Sequence, residues 1–313
     1  MVDKMVRSRH SEVRPLSEWG SIATELLGTQ TRLVQGPQWT HRVIECGDGA
    51  PLFLLHGIGG HAEAWARNVR NLAELGFHVY AVDALYHGYS STAPRVPAPE
   101  RAALQADAVA DLVQALGHDR VHIEGESMGA DIAYEFGVRH PGLTGKLVLN
   151  TGFPPVTTHR TEFAPAPGGG KHLLDLAHEA IATGSRDAMR RRMEWLVAKP
   201  DRMTDEMVDL RCRLYAEPQI NAAMRYVFGM DAPFALPPRR SEEEIARMTR
   251  PTLVLWTENN PGFGPDYGEY VAGLLPDSAF YRMRDAGHWP QWEKPDEHDA
   301  VVADFLLGSW PAP

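Results

Sequence analysis

A serine between two glycines is the residue whose setting most directly indicates chemistry. Residues 125–129 read Gly-Glu-Ser-Met-Gly and follow a short apolar run at 121–123. A Gly-x-Ser-x-Gly sequence between a strand and a helix is typical of a nucleophile elbow, where a strained turn presents the serine hydroxyl. The turn also directs the N–H of Met128, at a helix N-terminus, toward a developing negative charge. Ser127 is therefore the predicted nucleophile.

A glycine-rich loop earlier in the chain is a candidate for the rest of an oxyanion hole. Residues 56–60 read His-Gly-Ile-Gly-Gly and come directly off another strand-like run at 52–55. We expect the N–H of Ile58 to donate beside that of Met128, and we expect Gly57 to line the substrate site. A plain tight turn is the alternative. A dinucleotide-binding loop is disfavoured because the GxGxxG pattern is not matched.

A serine nucleophile needs a base, and His288 is the best placed of the 14 histidines. It lies in the segment RDAGHWPQWE, residues 284–293, after the last predicted strand and before the last predicted helix. A loop at that place can carry an imidazole over the serine. The histidines lack HExxH spacing, so we expect no metal and no organic cofactor.

The elements that must position these residues alternate between strands and helices. Predicted strands cover 31–34, 40–45, 52–55, 78–82, 121–123, 146–149, 252–256 and 279–282, and predicted helices cover 62–75, 99–116, 129–140 and 296–307. Alternation of this kind implies right-handed βαβ units and a mostly parallel sheet that is buried on both faces. The expected fold class is α/β.

The alternation stops between 156 and 245, where only helical patterns are found, at 171–182, 185–197, 205–215 and 219–228. The sequence therefore predicts an α/β core formed by residues 1–155 and 246–313, interrupted by a helical lid at 156–245. Residues 1–30 look like a helical N-terminal extension that could serve a homodimer contact. We expect the lid to lie over the C-terminal ends of the strands, where open α/β sheets bind ligands.

Composition excludes several classes of partner. The chain has 313 residues, 43% of them hydrophobic and 23% charged, and these are ordinary globular values. Its net charge of −10 argues against a nucleic-acid partner. No apolar run reaches the length of a membrane span or a signal peptide. The two cysteines, Cys46 and Cys212, form no CxxC pair, so a reduced cytoplasmic setting is expected.

In combination, these motifs resemble those of the α/β hydrolases over residues 50–155 and 247–310. The order of serine before histidine along the chain matches the triad of that family. More narrowly, the chain resembles the meta-cleavage-product hydrolases, which cut a C–C bond in dienoates formed by ring fission. The supporting motifs are residues 56–60, 67–69, 125–129, 287–293 and the lid segment 203–211, MTDEMVDLR.

The resemblance implies a role for each matched residue. Ser127 would be the nucleophile, His288 the base and the N–H groups of Ile58 and Met128 the oxyanion hole. Arg211 would grip a substrate carboxylate. A guanidinium on an apolar lid helix suits a planar carboxylate, although a lid–core salt bridge is the alternative. Trp289 would form a wall of the pocket.

Three positions depart from the family pattern. Glu126 stands where asparagine is common, and Cys212 follows the lid arginine where an aromatic residue is common. At the position of the triad aspartate stands Asn260, in the segment LWTENNPG, residues 255–262. An amide can accept from the imidazole Nδ1–H but cannot stabilise an imidazolium, and it can select the wrong tautomer. Glu258 is the first choice of substitute acid on proximity.

Asp266 and Asp285 are further candidates for that acid.

Three functions are consistent with the residues. The first is hydrolysis of a C–C bond in a meta-cleavage-type dienoate or a related 1,5-diketone, with a carboxylate-bearing small molecule as substrate. The second is an esterase or lactonase acting on small apolar esters. The third is a non-hydrolytic protein on the same fold, which the amide at 260 brings into consideration.

Overall fold

A computed structural model describes residues 20–153, 156–157, 169–231 and 239–308. The predicted α/β fold is confirmed in these residues by an eight-stranded sheet of order β1-β2-β4-β3-β5-β6-β7-β8. Its strands are β1 (Gln30–Gln35), β2 (Thr40–Cys46), β3 (Ala50–Leu55), β4 (Phe77–Val82), β5 (Val121–Glu126), β6 (Thr144–Asn150), β7 (Thr252–Thr257) and β8 (Ser278–Met283). Strand β2 pairs antiparallel with both of its neighbours, and all the other pairings are parallel.

Apolar runs explain why β3 and β7 form central strands, whereas β5 also buries Glu124 and Glu126. All six residues of β7 are buried, and so are the last four of β3 and of β5. A parallel strand covered on both faces reads as a continuous apolar run in this way. Because parallel strands end at one edge of the sheet, the loops after β3, β5, β7 and β8 lie together, and those loops carry the residues singled out above.

Helices cover both faces of the sheet and form the lid. They are α1 (Ile22–Glu25), α2 (Val69–Glu74), α3 (Ala98–Ala115), α4 (Met128–Arg139), α5 (Gly169–Thr183), α6 (Arg186–Glu194), α7 (Asp205–Ala216), α8 (Pro218–Val227), α9 (Glu242–Ile245), α10 (Pro265–Leu274), α11 (Pro290–Glu293) and α12 (Pro295–Leu307). Helices α5 to α8 match the four predicted in the lid. The boundaries at 155/156 and 245/246 stay predictions, since residues 154–155 lie outside the described part.

Two features of the elements differ from expectation. The single helix predicted for 62–75 is a 3₁₀ turn, Ala62–Trp65, followed by α2. It breaks at Arg67 and Asn68 because both side chains are used in tertiary contacts. Arg67 donates to the carbonyl of Trp292, and Asn68 donates to Asp299. Helix α10 between β7 and β8 was not predicted.

The N-terminal extension is described only from residue 20. Within that part it forms the one-turn helix α1 rather than a long helix, and the predicted helix over residues 1–19 lies outside the described residues. The N–H of Ile22 donates to Glu206 of lid helix α7 over 2.8 Å. The extension therefore packs against the lid. None of the described helices is long and apolar enough to cross a membrane.

A buried polar network underlies the end of β5. His298 Nε2 lies 2.7 Å from Glu124 Oε1 and its Nδ1 lies 2.9 Å from Asp299 Oδ1. Asn150 donates to Glu124, and Asn68 donates to Asp299. Although burial opposes it, the two carboxylates raise the pKa of His298 to about 10, so the imidazole is charged. The network ties α12 and α2 to the strand that carries the serine.

Candidate active site

Ser127 lies at a sharp turn between β5 and α4. Its backbone has φ 54° and ψ −114°, a conformation that L-residues rarely adopt. Glycines make the turn possible, because a Cβ on Gly125 would lie 2.0 Å from the carbonyl oxygen of Gly129. A Cβ on Gly129 would in turn lie 2.2 Å from the carbonyl oxygen of Leu55 on the neighbouring strand. The geometry is that of the predicted nucleophile elbow.

The loop after β3 presents one free N–H to the serine. Its three glycine N–H groups are bound: Gly57 donates to Glu126 Oε2, Gly59 to His87 and Gly60 to the carbonyl of Gly57. Within the described part of the chain the N–H of Ile58 has no acceptor. Ile58 lines the same cavity as Ser127 and Met128. Both residues of the predicted oxyanion hole thus line the cavity that contains Ser127, as that prediction requires.

The expectation that Gly57 contacts substrate is corrected by this geometry. Its N–H is held by Glu126 over 2.7 Å, and Gly57 is absent from the residues that line the cavity. A Cβ at this position would lie 2.4 Å from Glu126 Oε2. Glycine is needed here because the carboxyl of Glu126 approaches the backbone closely.

The cavity in front of Ser127 has a volume of about 320 Å³. Most of its wall is apolar and comes from Ala98, Ala102, Met128, Phe153, Trp256 and Phe263. Arg101, Gln105 and Asp131 add polar groups, and His288 and Asn260 line the same cavity as the serine. A cavity of this size and lining suits a small organic molecule.

Asn260 is the residue that faces His288 from the side of Nδ1. Its Oδ1 lies 2.7 Å from His288 Nδ1, and its Nδ2 donates to the carbonyl of Phe263 over 2.8 Å. Because the amide nitrogen is held by that carbonyl, Oδ1 must face the imidazole and Nδ1 must carry the proton. Nε2 is then free to accept a proton from serine. The structure thus removes the concern that an amide selects the wrong tautomer.

The other candidate acids lie elsewhere. Glu258 is about half exposed and lies 3.7 Å from Arg284, so the expectation of Glu258 as substitute acid is corrected. Asp266 pairs with Arg282, and Asp285 pairs with Arg202. None of these carboxylates contacts His288 among the described residues. A carboxylate would lose its hydration in a dry site, and arginines at the surface offer ion pairs, so these side chains turn outward.

A carboxyl group does approach His288, but from the opposite side of the ring. Glu126 Oε1 lies 3.3 Å from His288 Nε2, within ion-pair range but without the alignment of a hydrogen bond. Glu126 is 1% exposed. Relative to the family pattern described above, the acid and the amide have therefore exchanged places, with the amide at Nδ1 and the carboxyl beside Nε2.

Burial favours the uncharged forms of both Glu126 and His288. It raises the pKa of Glu126 to about 8, against the lowering effects of the Gly57 N–H, Arg211 and Arg192. Burial, and then the charge of Arg192, lower the pKa of His288 to about 4. At neutral pH the imidazole is a free base and Glu126 holds its proton, so the carboxyl does not repel an anion at the site.

Substitution of Asn260 by aspartate is expected to raise kcat by about 10- to 100-fold, since the reverse change in a serine protease costs about 10⁴-fold. A carboxylate 2.7 Å from Nδ1 would stabilise the imidazolium that forms when Ser127 attacks. It would also raise the pKa of His288 from about 4, so the acid limb of the kcat profile should move toward neutral pH. Steady-state kinetics between pH 4 and pH 9 measure both effects.

Asn259→Asp is the matched control, because Asn259 is exposed and the same charge is added one residue away. The loss of the Asn260 hydrogen bond to Phe263 should lower stability by about 1 kcal/mol. If the aspartates at 259 and 260 give the same rate and the same pH profile, Asn260 does not orient the base.

Arg211 lies on lid helix α7 and is completely buried. None of its three side-chain nitrogens has the geometry of a full hydrogen bond to a described residue, although the Tyr215 hydroxyl lies near enough to act on its pKa. Its guanidinium lies 5.6 Å from the ring centroid of Trp289, which is also buried. Neither residue lines the cavity in front of Ser127, so the prediction that Trp289 forms a wall of that cavity is wrong. Burial lowers the pKa of Arg211 to about 10, so the side chain is still charged at neutral pH. The alternative of a lid–core salt bridge is not seen among the described residues.

One charged residue of the site was missed by the sequence interpretation. Arg192 on lid helix α6 is 1% exposed and its Nη2 donates to the carbonyl of Ile58 over 3.2 Å. It lies in a run of three arginines, residues 190–192, of which Arg190 and Arg191 pair with carboxylates near the surface. Helical periodicity turns the third arginine inward, but the run itself reads as a solvated face.

The sheet, the elbow, the base and the lid together define a class. A family model of the alpha/beta hydrolase fold matches residues 50–295. The chain therefore belongs to the α/β-hydrolase fold family, and the protein is a hydrolase.

Several proteins similar to this chain are named as hydrolases. The 2-hydroxy-6-oxononadienedioate/2-hydroxy-6-oxononatrienedioate hydrolase 2 of Pseudomonas putida is 30% identical over 269 residues, covering 84% of this chain and 90% of that relative. The 2-hydroxy-6-oxo-6-phenylhexa-2,4-dienoate hydrolase of Comamonas testosteroni is 28% identical, covering 84% and 89%. A serine hydrolase from the polyaromatic hydrocarbon-degrading bacterium Cycloclasticus zankles shares the fold, with a TM-score of 0.76 at 22% identity, covering 91% of this chain and 100% of that one.

Proposed function

We propose that the protein is a serine-dependent hydrolase that cleaves a C–C bond in a meta-cleavage-type dienoate or a related 1,5-diketone. The observation that carries the proposal is Arg211, a buried guanidinium that has no ion-pair partner among the described residues and that attracts Glu126, the residue before Ser127. Relatives named as hydrolases of 2-hydroxy-6-oxo-dienoates support the same substrate class.

The residues divide the substrate between two regions. Arg211 and Trp289 would hold the carboxylate end, where a planar anion suits the guanidinium. The apolar cavity in front of Ser127 would hold the group on the far side of the keto carbonyl. Ile58 joins the two regions, since it lines the cavity and its carbonyl contacts Arg192. The carbonyl to be attacked then lies at the serine.

The reaction adds one molecule of water across the C–C bond. His288 takes the proton of the 2-hydroxyl group and helps to return it to the carbon beside the keto carbonyl, which converts the enol to a ketone. Ser127 then attacks that carbonyl while His288 accepts its proton, and the N–H groups of Ile58 and Met128 stabilise the oxyanion. The C–C bond breaks with its electron pair passing into the 2-oxo acid fragment. Water releases the acyl group from Ser127 as a carboxylic acid.

The neutral imidazole is consistent with both steps. With Nδ1–H donated to Asn260, the lone pair of Nε2 is available as the base at any pH above about 4. Ring fission products of this type are vinylogous acids, so the first proton is removed more readily than that of an alcohol. A base of low pKa is therefore less of a handicap here than in hydrolysis of an unactivated amide.

Ester or lactone hydrolysis is the second candidate, and the mostly apolar cavity at Ser127 favours it. It requires the same serine, base and oxyanion hole but no guanidinium. A protein that hydrolyses only esters would leave Arg211 buried and unpaired without a use, and burial of an unpaired charge is costly. Arg211 therefore favours the carboxylate-bearing substrate.

Turnover of a 2-hydroxy-6-oxo-hexadienoate, followed by the loss of its visible absorbance, tests the proposal. We expect one molecule each of a 2-hydroxydienoate and a carboxylic acid per substrate consumed, and a kcat/KM at least about 100-fold above that for p-nitrophenyl acetate. Ester turnover that exceeds dienoate turnover would establish the second candidate. Absence of both activities would support the third reading, a non-hydrolytic protein.

We also propose that the protein works in a reducing compartment such as the cytoplasm. Cys46 and Cys212 are both free thiols. Neither therefore contributes a disulfide of the kind that stabilises secreted domains.

A further inference from the structure

Two arginines of the lid meet beneath the loop after β3. Arg192 comes from α6 and Arg211 from α7, and both are at least 99% buried. Both lower the pKa of Glu126 and interact with Tyr215, and the charge of Arg192 lowers the pKa of Arg211. The Tyr215 hydroxyl itself donates to the carbonyl of Gly59.

The polar atoms of this pair are mostly unused. The three nitrogens of Arg211, together with Nε and Nη1 of Arg192, lack the geometry of a full hydrogen bond to a described residue, and Arg211 has only the neutral Tyr215 hydroxyl nearby. Only Nη2 of Arg192 has an acceptor, the carbonyl of Ile58 at 3.2 Å. The remaining contacts are with aromatic rings, Phe228 at 5.1 Å from Arg192 and Trp289 at 5.6 Å from Arg211.

Another buried arginine of this chain, in contrast, has carboxylate partners. Arg42 is 9% exposed and pairs with both Glu63 and Asp83. Within the described part of the chain Glu126 is the carboxyl group near the lid pair, beside the phenol of Tyr215, and burial raises the pKa of Glu126 to about 8, so it is mostly uncharged at neutral pH. Two adjacent cations are thus left without a counter-charge, which is costly unless an anion binds.

We propose that Arg192 and Arg211 together form a binding site for a planar head group that carries two anionic oxygens on adjacent carbons. A carboxylate with a neighbouring enolate, or two neighbouring carboxylates, has this form. This inference rests on the proposed function, whose substrate is a 2-hydroxy acid, and it assigns to Arg192 the selection of the second negative oxygen. Arg211 supplies the first pairing, and Arg192, which donates to the carbonyl of Ile58, supplies the second.

The geometry has a consequence for specificity. A singly charged carboxylate satisfies one guanidinium and leaves the other unpaired, whereas a dianion satisfies both. The protein should therefore discriminate between anions by charge and not only by shape. Arg192 also lies near enough to His288 to lower its pKa, so a dianion bound between the arginines and the base should make that base stronger.

Binding of oxalate and acetate to Ser127→Ala protein, measured by titration calorimetry at pH 7, tests the proposal. Oxalate carries two adjacent carboxylates, and acetate carries one. We expect oxalate to bind at least about 10-fold more tightly than acetate, since close charge pairs couple strongly when desolvated. With Arg192→Met added, the preference should fall to about 2-fold, the statistical factor for two equivalent carboxylates, while acetate still binds.

Arg191→Met is the matched control, because Arg191 is the neighbouring residue on the same helix but is half exposed and paired with Glu179. It should keep the oxalate preference. Equal affinity for the two anions in Ser127→Ala, no binding of either, or an unchanged preference in Arg192→Met would each overturn the proposal.

Thermal melting supplies a second readout. If Arg192 serves an anion, Arg192→Met should melt at a higher temperature than the parent in the absence of ligand, and oxalate should stabilise the parent but not the variant. A lower melting temperature with no response of the parent to oxalate would show a structural role instead. Should Arg192→Met fail to fold, Arg192→Lys keeps the charge but not the planar fork of the guanidinium. A reduced preference for oxalate over acetate in Arg192→Lys would then support the proposal, and an unchanged preference would contradict it. Dienoate turnover plays no part in these measurements, so a failure of the proposed function is seen separately.

Discussion

Replacement of Ser127 by alanine should lower kcat for the dienoate by about 10⁴-fold or more, in line with removal of the nucleophile from other serine hydrolases. Alanine removes only the hydroxyl, and its Cβ meets the same strained backbone, φ 54°, that serine already adopts. The protein should therefore fold with an unchanged melting temperature. Single-turnover kinetics with excess enzyme measure the rate, and circular dichroism measures the fold.

Glu258→Gln is the matched control for this variant. Glu258 lies on the loop that carries Asn260 but faces Arg284 at the surface, so its loss should change kcat by less than about 2-fold, as for surface substitutions away from a site. A residual rate in Ser127→Ala close to that of the parent would mean that water, and not Ser127, attacks the carbonyl. A sharp loss in Glu258→Gln would return Glu258 to the role of the acid.

Replacement of Arg211 by methionine should lower kcat/KM for the dienoate by about 10³-fold, because loss of one partner of a buried charge pair costs about 2–5 kcal/mol. Hydrolysis of p-nitrophenyl acetate should change by less than about 3-fold, because the acetyl ester has no carboxylate for the guanidinium to bind. Methionine fills a similar volume, so the packing on Trp289 is largely kept. Steady-state kinetics with both substrates give the two losses of activity, and their ratio decides whether Arg211 binds the substrate carboxylate.

Arg213→Met controls for the loss of a positive charge from the same helix, since Arg213 is exposed. The substitution should leave kcat/KM unchanged for both substrates. The pH dependence adds a further check: the pKa of Arg211 is lowered to about 10, so the cation is present below that pH and is lost above it. In the parent, kcat/KM for the dienoate should therefore fall as pH rises through about 10. An equal loss on both substrates in Arg211→Met would contradict a carboxylate clamp.

Local patterns predicted most of the framework. The apolar runs at 52–55, 121–123 and 252–256 are strands because such runs are stable only when buried on both faces of a sheet. The elbow at Ser127 was predictable for a similar reason, since the close approach of Gly125 and Gly129 requires the absence of side chains. The break in the helix at residues 66–68 was not predictable, because it depends on acceptors more than 200 residues away.

The partners of His288 could not be read from the chain. Sequence proximity favoured Glu258, but the loop after β7 turns its side chain outward and leaves Asn260 at the imidazole. Glu126 was recognised as a departure without a stated contact. Its position at Nε2 follows from the buried N–H of Gly57, which holds the carboxyl and lies 69 residues away along the chain.

By itself the sequence determined the α/β class and predicted the nucleophile, the base and the lid arginine, since each is signalled by residue type and short-range spacing. Only the tertiary structure decided which groups touch the imidazole, which tautomer it holds and that a second arginine faces inward beside the first. These depend on distances between loops that are remote in the chain and on burial, which sets the protonation of Glu126 and His288. Neither a contact between remote loops nor the depth of a charge below the surface is encoded in local spacing.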